Sequence, residues 1–415
     1  MSMSVIDIFL YVVIFASIYT QVFFIATFFN RRKFVKKHSF KETFSNDQLP
    51  AITFLVPCWN EEGNIDDPIK SIRSLSYPID KIFIHLIDDG STDNTWNEMQ
   101  KYKNEPNIFL FKKENGGKHT ALNYSLDKVK TNFIASVDAG TTMNKNALLK
   151  IFSYFIKNPK LSAVGGAVLI RNPRTISERA QSVEYQMFSF TKKVLGLIGA
   201  PLVVPGAFSI FKTKDLIKVG GWEDGNGLED LELTYRLQVK GYKVDHSHDA
   251  IAYTNGPTSI PKLFKQRLRW GYGFLKNTAE YKFVIFNKKF GNFGIFTVPM
   301  SVASYAVILV IFGISWYKLI LFLHNKFLIV KLLGPKSLFE GFGVNFFYIN
   351  TKAIVFLGSL ALLFIFLNIL LGKFVSNIKE KKLQNVIIFY ITYTILVPFW
   401  VLKNIYNFIV SSKPS

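Results

Sequence analysis

The sequence predicts an α/β domain built on a mostly parallel sheet and fused to membrane-spanning and interfacial helices. Three observations carry that expectation. Short apolar runs alternate with helical sequence from about residue 50 to Asp138. Several of these runs end in acidic and polar clusters, the pattern of strands that present side chains at their carboxyl ends. Long, nearly uncharged apolar stretches flank the block on both sides.

From the start, Val5 to Phe29 is almost unbroken apolar sequence, long enough to cross a hydrocarbon core of about 30 Å. No basic region precedes it and no small-residue cleavage site follows, so it reads as an anchor rather than a removed signal peptide. Arg31, Arg32, Lys33, Lys36 and Lys37 follow at once, which puts the next segment in the cytoplasm and the N-terminus outside.

Within the block, Ala51–Val56 reads as a buried strand, followed by a loop and helix opened by Pro57 and Asn60-Glu-Glu-Gly63. Lys81–Ile87 is a second strand, ended by Asp88-Asp-Gly-Ser-Thr-Asp93. Asn107–Phe111 is a third, and helical sequence around Thr120–Val129 leads to a fourth at Asn132–Val137, ended by Asp138.

Two later stretches have helical amphipathicity. In Gln186–Ile198, Met187, Phe190, Val194 and Leu197 fall on one face, with Lys192 and Lys193 elsewhere. In Pro261–Lys276, Phe264, Leu268, Tyr272 and Leu275 oppose Lys262, Lys265, Gln266, Arg269 and Lys276. Both are expected to lie at the membrane surface.

Three more spans are expected at Ile295–Leu323, Ala353–Leu371 and Val386–Val410. The loop holding Lys373, Lys379, Lys381 and Lys382 reads as cytoplasmic. The longer loop at 324–352, with Lys326, Lys331, Lys336 and Lys352 more dilute, falls on the other side. The expected organisation is an anchor at 1–30, a cytoplasmic catalytic-type domain at 31–257, interfacial helices at 258–294 and about three spans at 295–415.

Composition limits the function. Of 415 residues, 49% are hydrophobic and 19% charged, which excludes a disordered chain. The single Cys58 excludes a disulfide scaffold and any multi-cysteine zinc site. Fifty Lys+Arg against 29 Asp+Glu give a formal charge of +21, which suits anionic lipid, nucleic acid or phosphorylated small molecules. Clustered carboxylates argue against nucleic acid, and late spans nearly free of ionisable residues argue against a transporter.

The acidic residues carry the most information. Asp88, Asp89 and Asp138 stand at strand ends, and Glu229-Asp230 precedes a helix. Convergent carboxylates of this kind can hold a divalent cation beside a diphosphate. Asn115-Gly-Gly-Lys118 is a flexible loop ending in a cation, though without Walker spacing. In Gln266-Arg-Leu-Arg-Trp270, an amide, a guanidinium and an indole sit on neighbouring helix positions, able to grip a diphosphate and stack on a sugar ring. His246 and His248, without a third ligand, read as surface or packing residues. Cys58 reads as a small buried side chain.

Taken in chain order, Val56-Pro-Cys-Trp-Asn-Glu61, Asp88-Asp-Gly-Ser-Thr-Asp93, Gly116-Gly-Lys-His-Thr-Ala-Leu-Asn123, Asp138, Glu229-Asp230 and Gln266-Arg-Leu-Arg-Trp270 resemble the membrane-integrated family 2 glycosyltransferases. These are the cellulose, chitin, hyaluronan and poly-N-acetylglucosamine synthases. The resemblance implies a GT-A-type domain that takes a UDP-sugar and inverts the anomeric centre. It implies a nucleotide pocket lined by Pro57, Glu61 and Asp89 with Asp88 alongside, Lys118 near uracil or phosphate, and Asp138 on a Mg²⁺ or Mn²⁺ diphosphate. Asp230, beside Glu229, matches the general base; Gln266, Arg269 and Trp270 match the acceptor and diphosphate box. The implied acceptor is a growing polysaccharide, with a lipid acceptor as the alternative. One departure stands out: Gly140 occupies the place of a second metal-box Asp in many members.

Overall fold

The computed structural model describes residues 5–31, 49–335, 353–376 and 383–411. Arg32, Lys33, Lys36, Lys37, Lys336, Lys352, Lys379, Lys381 and Lys382, on which the charge-bias reading rests, lie outside the described residues.

After α1 (Val5–Asn30) the chain runs through β1 (Ile52–Cys58), α2 (Asp66–Arg73), β2 (Ile82–Asp89), α3 (Thr95–Gln100), β3 (Ile108–Lys113), α4 (Lys118–Leu126) and β4 (Phe133–Val137). There follow β5 (Thr142–Met143), α5 (Ala147–Lys157), β6 (Leu161–Ile170), α6 (Ile176–Leu197), β7 (Phe208–Lys212), α7 (Thr213–Val219), α8 (Glu229–Val239) and β8 (Lys243–Thr254). The last helices are α9 (Ile260–Glu280), α10 (Val298–Leu333), α11 (Ala353–Val375) and α12 (Leu383–Ile409).

One sheet of 8 strands, ordered β3-β2-β1-β4-β7-β6-β8-β5, organises the domain. β1 pairs in parallel with β2 and β4, and β2 with β3, while β7 runs antiparallel between β4 and β6. Buried on both faces, β1 reads as a continuous apolar run. Ile52, Phe54 and Val56 meet α2 and α5 on one side through Ile69, Ile72 and Phe152. Leu55 joins Leu122 of α4, Leu216 of α7 and Leu233 of α8 on the other. The result is a three-layer sandwich.

The register sets the site. Cys58 stands opposite Asp88, and Leu55 opposite Ser136, so β1, β2 and β4 deliver their carboxyl ends to one edge of the sheet. That is where an open α/β sheet receives a ligand.

Four helices among the described residues are long and apolar enough to cross a membrane: Ile8–Asn30, Phe293–Leu333, Phe356–Val375 and Leu383–Ile409. The second of these helices continues to Leu333, so Lys326 and Lys331 lie on helix rather than in the expected loop. The 36 residues of α10, Val298–Leu333, amount to about 54 Å at 1.5 Å per residue, well beyond a bilayer core.

The two amphipathic helices are also longer than their stripes suggested, and their apolar faces meet protein. A capping box, Thr175 with Glu178, starts α6 well before Gln186. The helix lies between β6 and β8 on one side and α11 and α12 on the other. Its Phe190 and Val194 pack on Phe24 and Phe28 of α1. On α9, Leu263, Phe264 and Leu268 pack on Trp400 and Val401 of α12. Burial against apolar side chains satisfies the same stripe that the membrane surface would.

Candidate active site

A cavity of about 730 Å³ opens at the carboxyl edge of the sheet, between β1, β4, α6, the start of α8 and α9. Pro57, Glu61, Asp89, Lys118, Asp138, Glu229, Asp230, Gln266, Arg269 and Trp270 all line it. Asp88 does not. It is fully buried; Oδ1 accepts the Ser91 N–H at 3.0 Å, and Oδ2 has no hydrogen-bond partner among the described residues. Asp88 therefore shapes the turn behind the wall.

Asp89 is also deeply buried and organises the neighbouring loop. It accepts from Lys113 Nζ at 2.6 Å, from the Gly116 N–H at 3.2 Å and from the Gly117 N–H at 2.8 Å. The backbone donors of the Gly-Gly loop thus point at this carboxylate. Gly90 has φ +71, and a Cβ there would stand 2.6 Å from the Asn115 amide nitrogen, so only glycine lets the two turns approach.

Lys118, the first residue of α4, sits at the centre of an ionic cluster. Its Nζ lies 2.6 Å from Asp138 Oδ1 and 2.7 Å from Glu229 Oε1. Burial opposes its charge, but Asp138, Glu229 and Asp230 outweigh that and hold it well above the ordinary lysine range. Asp230 moves the other way. Burial, and then the Glu229 carboxylate, push its pKa up, against the pull of Lys118 and of the Gly206 N–H, which donates to Oδ2 at 2.9 Å. A Cβ on Gly206 would come within 2.8 Å of Lys118 Nζ, so this glycine lets backbone, Lys118 and Asp230 share one corner. Burial, and then Asp138, also raise Glu61, against the Asn64 amide that donates to it at 2.9 Å.

On the opposite wall, α9 carries the other box. Gln266 Oε1 accepts from Gln181 at 2.6 Å, and Arg269, exposed, donates to Gly227 O at 3.4 Å. The Trp270 ring lies under the Arg267 guanidinium at 4.3 Å. Arg267 is itself buried, paired with Glu184 of α6, and Tyr393 of α12 donates to the same carboxylate at 2.7 Å.

Sequence reasoning missed part of the wall. Tyr185, Phe188, Ser189 and Lys192 line the cavity from α6, and His246 from β8. The i, i+3, i+4 and i+7 spacing of the four α6 residues is a helical face, legible in the sequence beside the apolar stripe. Burial holds Lys192 down at about 8, against Asp230 and Glu184, which favour its charge. Burial, then Lys192 and Lys193, push His246 well below the usual imidazole range. His246 and His248 are buried rather than on the surface. Cys58 is buried, as expected.

Among the described residues no group of three or more His, Cys, Asp or Glu side chains forms a metal cage. Asp138 is the partly exposed strand-end carboxylate on the cavity wall, with its side chain 39% exposed. That donor set fits a cation only if the ligand supplies most of the oxygens.

Residues 53–220 match the family model described as Glycosyl transferase family 2. Over 262 residues the chain is 33% identical to a poly-beta-1,6-N-acetyl-D-glucosamine synthase of Staphylococcus aureus, 63% of each chain. Over 273 residues it is 33% identical to the synthase of the same name from Staphylococcus epidermidis, 65% of this chain and 66% of that one. The match spans just under two thirds of these relatives' length. In fold, the chain is similar to the mannosyltransferase PcManGT from Pyrobaculum calidifontis, solved with GDP-Man and Mn²⁺. That likeness has a TM-score of 0.54 at 16% identity, over 89% of this chain and 100% of the other.

Proposed function

The chain carries a family 2 glycosyltransferase domain over residues 53–220, and from that premise we propose that it polymerises N-acetylglucosamine from UDP-N-acetylglucosamine at a membrane. The observation that carries the reading is the single cavity with Asp138, Glu229, Asp230 and Lys118 on one wall and Gln266, Arg269 and Trp270 on the other. The relatives named as poly-N-acetylglucosamine synthases support the sugar, and the four apolar helices support the membrane.

In this reading Pro57, Glu61 and Asp89 receive the nucleotide, with Asp88 bracing their turn from behind. Asp230 takes the proton from an acceptor hydroxyl as that oxygen attacks the anomeric carbon. The new C–O bond forms on the face opposite the breaking bond to the diphosphate, and UDP leaves with the electron pair. Two backbone donors, Gly206 N–H and Leu231 N–H, hold the Asp230 carboxylate. Arg269 stabilises the leaving diphosphate, and Trp270 offers a stacking face to the acceptor ring. Asp138 would hold Mg²⁺ or Mn²⁺ together with the diphosphate, and the cation would supply charge neutralisation there. The catalytic domain faces the cytoplasm, and the growing chain leaves past the apolar helices.

The test is to incubate membranes containing the chain with labelled UDP-sugars and Mg²⁺ or Mn²⁺, and then to size the products. Long polymer from UDP-N-acetylglucosamine is the expected result. Products of a single added sugar, extracted with lipid, would replace this reading with transfer to a lipid acceptor.

A further inference from the structure

Among the charged and imidazole groups that line the cavity, two stand apart by having nothing to do. Lys118 is paired with Asp138 and Glu229, Asp89 with Lys113 and two backbone amides, and Asp230 with Gly206. Arg269 reaches a backbone carbonyl. His246 is only 1% exposed, yet neither of its ring nitrogens has a hydrogen-bond partner among the described residues. Lys192 lines the same cavity from α6 and has no ion-pair partner among the described residues. A buried donor and acceptor left unmade are costly, so they mark where a ligand belongs.

We propose that Lys192 and His246 form a subsite for the N-acyl group of the acceptor sugar, on the α6–β8 wall of the cavity. The inference rests on the polymerase reading above and names what that site recognises. The donor set defines the ligand. A neutral imidazole offers one N–H donor and one acceptor nitrogen, and an ammonium offers donors alone. The matching group must accept from Lys192 or His246, donate to His246, and carry no positive charge. A secondary amide does all three: its carbonyl oxygen accepts and its N–H donates. Val168 and Phe188 also line the cavity and provide apolar surface for the amide's methyl group. Phe188 and Tyr185 offer aromatic faces to the C–H face of a pyranose ring. A sugar with a free amine would instead bring a cation against Lys192 and leave the acceptor nitrogen of His246 as its sole match. The diphosphate is a poorer fit, since it cannot donate and Arg269 already serves it.

The experiment uses the purified full chain in detergent and calorimetric titration. Four probes are titrated: UDP, UDP-N-acetylglucosamine, a short N-acetylglucosamine oligosaccharide, and the same oligosaccharide with free amines. The two oligosaccharides are titrated with UDP at saturation. Wild type should bind the acetylated oligosaccharide at least about 10-fold more tightly than the free amine, the worth of one or two well-made hydrogen bonds. Lys192→Met and His246→Phe should each weaken the acetylated oligosaccharide by about 10-fold and leave UDP within about twofold. Lys192→Met changes a partly exposed side chain, so it keeps the test alive if His246→Phe fails to fold.

Equal affinity of wild type for the two oligosaccharides, or binding of neither, overturns the subsite. So do variants that bind the acetylated oligosaccharide as wild type does. Loss of UDP-N-acetylglucosamine affinity relative to UDP would assign the N-acyl group to the donor and overturn the acceptor assignment. Failure of UDP itself to bind wild type is a different outcome, because it removes the parent reading rather than the subsite.

Discussion

Asp230 is where sequence and environment act on the same atom. Burial and the adjacent Glu229 raise its pKa, and in the proposed mechanism Asp230 is the base, which works only when ionised. Transfer should therefore fall as pH drops through a value above the ordinary aspartate range. Glu229→Gln removes the like charge, so the acid limb of the kcat profile should move to lower pH; an unmoved limb would mean that another group titrates. Asp230→Asn should abolish transfer and spare UDP binding, and turnover above a few per cent would assign the base elsewhere. At the altered metal box, Gly140 has φ +76, and a Cβ there meets nothing nearer than 3.5 Å. The cost of Gly140→Asp is therefore backbone strain of about 1 kcal/mol rather than a clash. Asp138→Ala should abolish the gain in UDP affinity that Mn²⁺ brings, measured by titration with the metal and with chelator. Equal UDP affinity under both conditions in wild type would leave Lys118 and Arg269 to carry the charge.

Between elements, a buried ionic cluster joins α6, α9 and α12. Glu184, Arg267 and Tyr393 come one from each, and Arg267 also stacks over Trp270. Glu184 and Arg267 are both 6% exposed, so removing one strands the charge of the other. Glu184→Gln should destabilise the protein by about 3–5 kcal/mol, and Glu184→Met with Arg267→Met should recover much of that loss. Chemical unfolding in detergent with the full double-mutant cycle measures this. Additive single and double effects would show that the pair is uncoupled.

For the molecule as a whole, the lysine bias predicts sidedness. The lone Cys58 is buried, so engineered cysteines can be read against a quiet background. With four spans, Ser4→Cys and Ser411→Cys should react with a membrane-impermeant thiol reagent in intact cells, and Lys381→Cys only after lysis. Protection of Ser4→Cys or Ser411→Cys would require a different number of crossings. The overrun of α10 past Leu323 does not change the count, since it lengthens one span without adding another.

The sequence by itself determined the first four strands, the acidic residues at their ends, the apolar spans and the boxes on α4, α8 and α9. These features are local: a strand end needs only its own few residues, and a span needs only an unbroken apolar length. Tertiary structure decided what those residues face. Asp88 and Asp89 are neighbours in sequence, yet β-strand alternation points their side chains to opposite sides, and only Asp89 reaches the cavity. The amphipathic stripe of α6 was legible, but whether lipid or α1 covered it depended on where distant helices packed. His246 and Lys192 lie far apart in sequence, and they meet on one wall only because β8 and α6 enclose the same cavity. No short-range pattern encodes a juxtaposition of that separation.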